Sequence, residues 1–286
     1  MTPDVFEKAP AKLNLGLRIL GKRPDGYHDI LSVFQTVTLT DSLCLEQSEC
    51  VEFICSDFTI PLGSDNLVLR ADELFSHAVG KTLPARFRLE KNIPVGAGLG
   101  GGSSDAAAAF RGLARFHGTS SAGDDVLYRT ACALGSDIPF LIRGGTAVVS
   151  GRGENVEFVP WPFDFTYVIV YPGFGVSTVW AYGSLDGFHD DGGVYHDMTE
   201  RLRAGTLSED VFFAALVNDF EPTVIRNYPT IGEVKARLTA YGARASLMSG
   251  SGSSVFGIFD DSAAAGKCAV TMKNDFSEVF VVKKFG

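Results

Sequence analysis

Residues 94–110 read P-V-G-A-G-L-G-G-G-S-S-D-A-A-A-A-F, five glycines within seven positions running into two serines, an aspartate and an alanine-rich segment. Backbone without Cβ atoms can curl successive N–H groups around an anion. A helix that begins where the glycines end adds unpaired amides and the positive end of its dipole. Ser103, Ser104 and Asp105 all make good N-caps, so the pattern predicts a helix from about 103 to 117. A chain built this way must fold so that one loop-to-helix junction stays open to a phosphate. A flexible linker fits poorly beside so well capped a helix start.

Two familiar phosphate loops fit less well. Gly96-x-Gly98-x-x-Gly101 matches the dinucleotide fingerprint, which is weak alone. That fingerprint follows a strand buried on both faces, whereas Ala85-Arg86-Phe87-Arg88-Leu89-Glu90 alternates like an antiparallel strand with one wet face. Asp124 and Asp125 lie near the distance of a ribose-binding acid, yet they follow a G-T-S-S-A-G loop instead of ending a strand. No Gly-Lys-Ser/Thr follows the glycines, which excludes a Walker loop.

The chain has 286 residues, 45% hydrophobic and 21% charged, enough for two ordinary domains with full cores. Its formal net charge of −9 argues against nucleic acid or an anionic membrane as partner. A phosphate ligand therefore needs a local positive feature, for which Lys12, Lys91 and the glycine-loop amides are candidates. Cysteines 44, 50, 55, 132 and 268 form no C-x-x-C pair, and no histidine lies near the 44–55 cluster. Neither a disulfide framework nor a zinc site is supported, and buried reduced thiols are expected for most of them. With no basic-then-apolar leader and no membrane-length apolar run, the composition predicts a reducing cytoplasm.

From Ala11 onward Leu13, Leu15 and Leu17 alternate with Lys12 and Asn14, a strand that shows two polar groups to water or to a cleft. After the loop K-R-P-D-G-Y-H, residues 30–39 predict a second strand in a hairpin with the first. Tyr27 and His28 at the end of that turn are ordinary loop-edge residues, or an aromatic face beside a hydrogen-bonding ring that suits a planar base. Residues 43–60 predict one or two further strands, and Ser64-Asp65-Asn66 caps a helix through 79. A helix at 124–134 ends at Gly135. Asp137 follows it, between a glycine and an apolar strand, where the dipole disfavours its charge; it caps its own turn or has a chemical task. Residues 144–159 close a hairpin, and Trp161-Pro162 marks a domain boundary. Beyond it come a strand at 167–171, a helix-like V-S-T-V-W-A-Y, a solvated Asp/His loop at 186–197, helices at 208–216 and 230–241, strands at 245–248 and 255–259 around S-G-S-G-S-S, a helix at 261–273 and a strand at 279–282. Together these predict an α+β class with two domains.

Three segments recur in a telling order: A-P-A-K-L-N-L, then P-V-G-A-G-L-G-G-G-S-S-D-A-A-A-A, then L-M-S-G-S-G-S-S-V-F. Over essentially the whole chain this resembles the superfamily of small-molecule kinases containing galactokinase, homoserine kinase, mevalonate kinase and phosphomevalonate kinase. G-K-R-P-D-G-Y-H-D-I, L-G-S-D-I-P-F-L-I-R-G-G-T-A and N-D-F-E-P are similar to one branch of it, whose acceptor is a methylerythritol linked to cytidine diphosphate in non-mevalonate isoprenoid synthesis.

The resemblance implies an N-terminal domain over 1–161 like the second domain of ribosomal protein S5, and a ferredoxin-like C-terminal domain over 162–286, with ATP in the cleft between them. It also implies a left-handed β-α-β crossover, which default topology rules would not give. Carried over by motif, Asp137 is the catalytic base and Lys12 its partner on the first strand. Pro94, Val95, Gly96, Ala97, Gly98, Leu99, Gly100, Gly101, Gly102, Ser103 and Ser104 cradle the triphosphate, while Asn66 and Lys91 match adenine-side positions. Tyr27, His28 and Tyr182 match the cytosine site, with Asn14 near the erythritol and Phe34 behind it. Mg2+ accompanies ATP through the phosphate oxygens, and no residue is named as its ligand. The partner is a small molecule, neither nucleic acid nor membrane, acted on by a monomer or homodimer. A homoserine or mevalonate-type kinase would share the glycine loop but lack R-P-D-G-Y-H, and an inactive ligand-binding regulator would have no use for Lys12 and Asp137.

Overall fold

Period-two hydrophobicity on either side of a short polar turn makes a hairpin, and the first two strands are long ones: β1 (Val5–Lys22) and β2 (His28–Gln47). The computed structural model describes residues 3–81, 84–118, 124–185, 187 and 192–286. The other elements, in order, are β3 (Glu52–Cys55), α1 (Leu67–Val79), β4 (Ala85–Glu90), α2 (Gly101–Phe116), α3 (Asp124–Leu134), α4 (Ile138–Arg143), β5 (Thr146–Gly151), β6 (Asn155–Phe158), β7 (Thr166–Tyr171), α5 (Thr178–Gly183), α6 (Val194–Arg203), α7 (Glu209–Ala215), α8 (Glu221–Asn227), α9 (Pro229–Ala240), β8 (Ala245–Met248), β9 (Val255–Phe259), α10 (Ser262–Met272) and β10 (Glu278–Lys283). No helix of the described residues is long and apolar enough to cross a membrane.

Compactness divides the chain into two units, and both long strands are cut by the division. The first comprises Met1–Ala11, Leu39–Ile93 and Gly100–Gly144. In it the C-terminal half of β2 pairs antiparallel with β4, which pairs parallel with β3, so α1 is the helix of a β-α-β crossover. Helices α1 and α2 pack on each other, and the alanine run 106–109 is fully buried with Phe110 and Leu113.

The second unit comprises Lys12–Thr38, Pro94–Leu99 and Gly145–Gly286. Its β5 pairs antiparallel with the N-terminal half of β2 and with β6. Strands β7 to β10 form a separate four-stranded antiparallel sheet in the order β10-β7-β9-β8, with α9 and α10 against it. Reached along the chain as strand, helices, two strands, helix, strand, that order is the ferredoxin-like arrangement expected for the C-terminal half. Its core joins Val168, Val170, Val255 and Phe259 of the sheet to Ile231, Val234, Cys268 and Met272 of the helices.

Several local expectations need correction. The α2 helix starts at Gly101 with Gly100 as N-cap, not at Ser103; Ser104 and Asp105 lie inside the helix, where Pro10 O and Lys91 engage their side chains. Residues 138–143 form α4 instead of a strand. Pro139 lies in its first turn, where a missing N–H costs nothing, and so short an apolar run has no period to read. Val194 to Asp197, predicted as loop, open α6, and α8 was not foreseen. Residues 119–123, 186 and 188–191 of the predicted loops lie outside the described residues. All five cysteines are free, but only Cys44 and Cys268 are buried.

Candidate active site

In the second unit the three recurring segments meet through backbone. Lys12 N donates to Leu99 O at 2.9 Å, Ser254 N to Ala97 O at 3.1 Å, and Ser249 Oγ to Gly98 O at 3.0 Å. The 249–254 turn thus lies against the glycine loop, and Gly98 shows how closely. Its φ is +77°, and a Cβ there would stand 2.3 Å from Ser249 O and 2.9 Å from Gly252 O, distances no side chain tolerates. Pro94, Ala97 and Leu99 are buried, whereas Val95 is exposed and its carbonyl accepts Tyr171 Oη at 3.4 Å.

Lys12 and Asn14 do not form a wet strand face; both are buried, at 5% and 2% exposure. They survive burial as links of one hydrogen-bonded line. Lys12 Nζ donates to Asn14 Oδ1 at 2.6 Å, Asn14 Nδ2 to Ser32 Oγ at 3.0 Å, and Ser32 Oγ to Gly16 O at 2.6 Å. Lys12 Nζ also stands 4.4 Å from the centroid of the buried Phe34 ring. Tyr195, which sequence reasoning missed, is inserted beside this line: its hydroxyl accepts Val33 N at 3.0 Å and donates to Leu15 O at 3.3 Å. Gly16, at φ +104°, makes the room, since a Cβ would fall 2.3 Å from the Tyr195 ring.

At the start of β2, His28 stacks on Tyr182 with centroids 4.8 Å apart and planes 18° from parallel, and Tyr182 meets Phe220 edge-on at 4.8 Å. Tyr27 is 57% exposed, with the Arg152 guanidinium 4.7 Å from its ring centroid. Burial, with a contribution from Lys22, holds the His28 pKa below its ordinary value and so favours the neutral ring, whose two nitrogens are one donor and one acceptor. Such a ring can read a base edge while an aromatic face stacks on it.

In the first unit, the first intrahelical bond of α2 runs from Ser104 N to Gly100 O at 2.9 Å, and no side chain caps the helix. The amides of Gly101, Gly102 and Ser103 lie in the first turn, the kind of donors a phosphate takes. Ser104 Oγ donates to Pro10 O at 2.7 Å. Lys91 is buried between two carboxylates, its Nζ 2.5 Å from Asp41 Oδ2 and 2.8 Å from Asp105 Oδ2. Asp41 Oδ1 also accepts Asn92 N and Ile93 N at 2.5 and 2.8 Å, fixing the backbone just before the glycine loop. Burial pushes the Asp105 carboxyl upward against the pull of Lys91. Burial works against the Lys91 ammonium, but Asp105 and Asp41 outweigh it and raise its pKa. Asp41 carried no sequence signal beyond its acidity, and Asp105 read only as an N-cap. Asn66 caps α1, accepting Val68 N at 2.8 Å while Nδ2 donates to Pro61 O at 2.8 Å.

Asp137 precedes α4 with φ −80° and ψ −19°, and its carbonyl accepts Leu141 N at 3.1 Å. Asp137 thus stands at the N-terminal end of α4 as well as beyond the C-terminal end of α3. Among the described residues no group of three or more His, Cys, Asp or Glu side chains could hold a metal ion.

Residues 66–145 match the model of the GHMP kinases N terminal domain and 199–278 that of the GHMP kinases C terminal domain. The 4-diphosphocytidyl-2-C-methyl-D-erythritol kinase of Prosthecochloris aestuarii is 37% identical over 284 residues, 99% of this chain and 98% of that one. A crystal structure of 4-(cytidine 5'-diphospho)-2C-methyl-D-erythritol kinase superposes with a TM-score of 0.79 at 33% identity, covering 99% of this chain and 100% of that one. Homoserine kinase from Cytophaga hutchinsonii superposes at 0.77 with 20% identity, covering 100% and 97%, a likeness of fold alone.

Proposed function

We propose that this chain, which belongs to the 4-diphosphocytidyl-2-C-methyl-D-erythritol kinase family of the GHMP kinases, transfers the γ-phosphoryl group of ATP to the 2-hydroxyl of 4-diphosphocytidyl-2-C-methyl-D-erythritol in non-mevalonate isoprenoid precursor synthesis. It is a phosphotransferase. The observation that carries the reading lies within one compact unit. There the strand bearing Lys12 and Asn14, the glycine loop and the 249–254 turn are bonded to one another, and the His28–Tyr182 stack stands at the start of the strand paired with β1. Homoserine and mevalonate carry no base, so a kinase for either has no use for a stacked imidazole and phenol.

In this reading Asp137 takes the proton of the acceptor hydroxyl as its oxygen bonds to the γ-phosphorus and the bond from that phosphorus to the bridging oxygen breaks, releasing ADP. Lys12 orients the hydroxyl and offsets charge. Residues 94–104 cradle the triphosphate, with donors from backbone amides of the glycine loop, and Asn66 and Lys91 border the adenine. Asn14 lies near the erythritol with Phe34 behind, while Tyr27, His28 and Tyr182 take the cytosine. Mg2+ on the phosphates, when bound, neutralises charge that develops on their oxygens. The assignment takes 1–161 as the ATP-binding half and 162–286 as the ferredoxin-like half of a cytoplasmic monomer or homodimer. An assay coupled to ADP release, run with the cytidylyl acceptor, mevalonate and homoserine, should respond to the first alone; equal turnover of either other acceptor refutes the proposal.

A further inference from the structure

The N-D-F-E stretch, residues 218–221, has no task in the reaction above, yet three of its side chains grip backbone. Asn218 is buried, and its Nδ2 donates to Met248 O at 2.7 Å and to Gly250 O at 2.8 Å while Oδ1 accepts Phe220 N at 3.0 Å. Glu221 Oε1 accepts Met248 N at 2.7 Å, and its other oxygen pairs with Lys235. Asp219 Oδ2 accepts Ile19 N at 2.7 Å, and Oδ1 lies 3.0 Å from Arg18 Nη1. Backbone bonds complete the clasp, from Leu17 N to Val217 O at 2.7 Å and from Asp219 N to Leu17 O at 3.0 Å.

What the clasp holds is the wall beside Asn14. Ser249 Oγ accepts Asn14 N at 3.4 Å and donates to Gly98 O, and a Cβ on Gly250 would stand 3.4 Å from Asn14 Oδ1. The 249–254 turn is neither helix nor strand, and Ser249, Ser251, Ser253 and Ser254 are buried, so the turn keeps its course only if neighbouring groups satisfy its backbone. Asn218 does this for two carbonyls with the two hydrogens of one amide. An aspartate of the same shape would aim a carboxylate at both.

We propose that Asn218 and Glu221 are positioning residues that set Met248, Ser249 and Gly250 against Asn14 and the glycine loop and so fix where the acceptor polyol lies. The inference rests on the proposed reaction for its functional half and on geometry alone for its structural half. Neither residue touches the reacting atoms.

The test compares the parent chain with Asn218→Asp, Glu221→Ala and Glu221→Gln. It measures kcat and KM for acceptor and ATP, and amide hydrogen exchange at 248–254 with β7 as internal reference. In Asn218→Asp and Glu221→Ala, kcat/KM for the cytidylyl acceptor should fall about tenfold to 10²-fold while KM for ATP stays within about threefold. Exchange at 248–254 should quicken by about tenfold or more with β7 unchanged. Glu221→Gln, which keeps an oxygen for Met248 N, should recover most of what the alanine loses. A parent that ignores the acceptor refutes the reaction and leaves the clasp to the exchange arm. Unchanged exchange there, unchanged kinetics in an active parent's variants, or no rescue by glutamine overturns the inference. If Asn218→Asp does not fold, the Glu221 pair decides it.

Discussion

Asp72 offers a test that needs no substrate. It lies on the buried stripe of α1 with Val68, Ala71 and Phe75, is 6% exposed, and its Oδ1 has no hydrogen-bond partner among the described residues. Burial first, and then the charge of Glu73, raise its pKa from 3.8 to about 6. The folded chain therefore keeps a proton that the unfolded chain releases between those values. Its contribution is fully present below about pH 4 and is lost as pH rises through about 6. The gap between 3.8 and about 6 is worth roughly 3 kcal/mol across that window. Asp72→Asn has nearly the same shape and does not titrate. The variant should match the parent within about 1 kcal/mol at pH 4 and exceed it by about 2 to 3 kcal/mol at pH 8. Urea unfolding followed by circular dichroism at pH 4, 6 and 8 measures this directly. Parallel pH curves for the two proteins, or a variant weaker than the parent at pH 8, would refute the reasoning.

Asp137→Asn should lose about 10²-fold to 10⁴-fold in turnover while ATP affinity by calorimetry is largely kept, and turnover within a few-fold of the parent removes Asp137 from the role of base. Gly98→Ala forces a Cβ to 2.3 Å from Ser249 O at a φ of +77°, so strain and overpacking should cost about 2 kcal/mol or more and weaken ATP binding, and an unshifted denaturation midpoint with parental ATP affinity contradicts it. Tyr27→Ala should weaken the cytidylyl ligand by about one to two powers of ten in competition binding and leave ATP nearly alone, since one stacking face is lost; equal affinity for the cytidine and uridine forms in the parent would count against His28 as the reader of the base edge.

Where structure depends on neighbours in the chain, the sequence by itself determined it. Strands β8 and β9 run where β-branched and apolar residues flank S-G-S-G-S-S, α1 begins at the Asn66 cap, and α10 follows Asp261, whose two oxygens accept Ala263 N and Ala264 N. The glycine loop and the three recurring segments were legible because caps, periodicity and motif spacing act over a few residues. Other features were decided by the tertiary structure, because their partners are far apart along the chain. Ser104 and Asp105 look like caps until Pro10 O and Lys91 engage them inside α2. Lys12 and Asn14 look like a wet strand face until Ser32 and Phe34 close over them. His28 meets Tyr182, and Asn218 meets Met248 and Gly250, only through the tertiary fold. A buried polar group must be satisfied wherever its partner comes from, and sequence spacing holds no record of that partner.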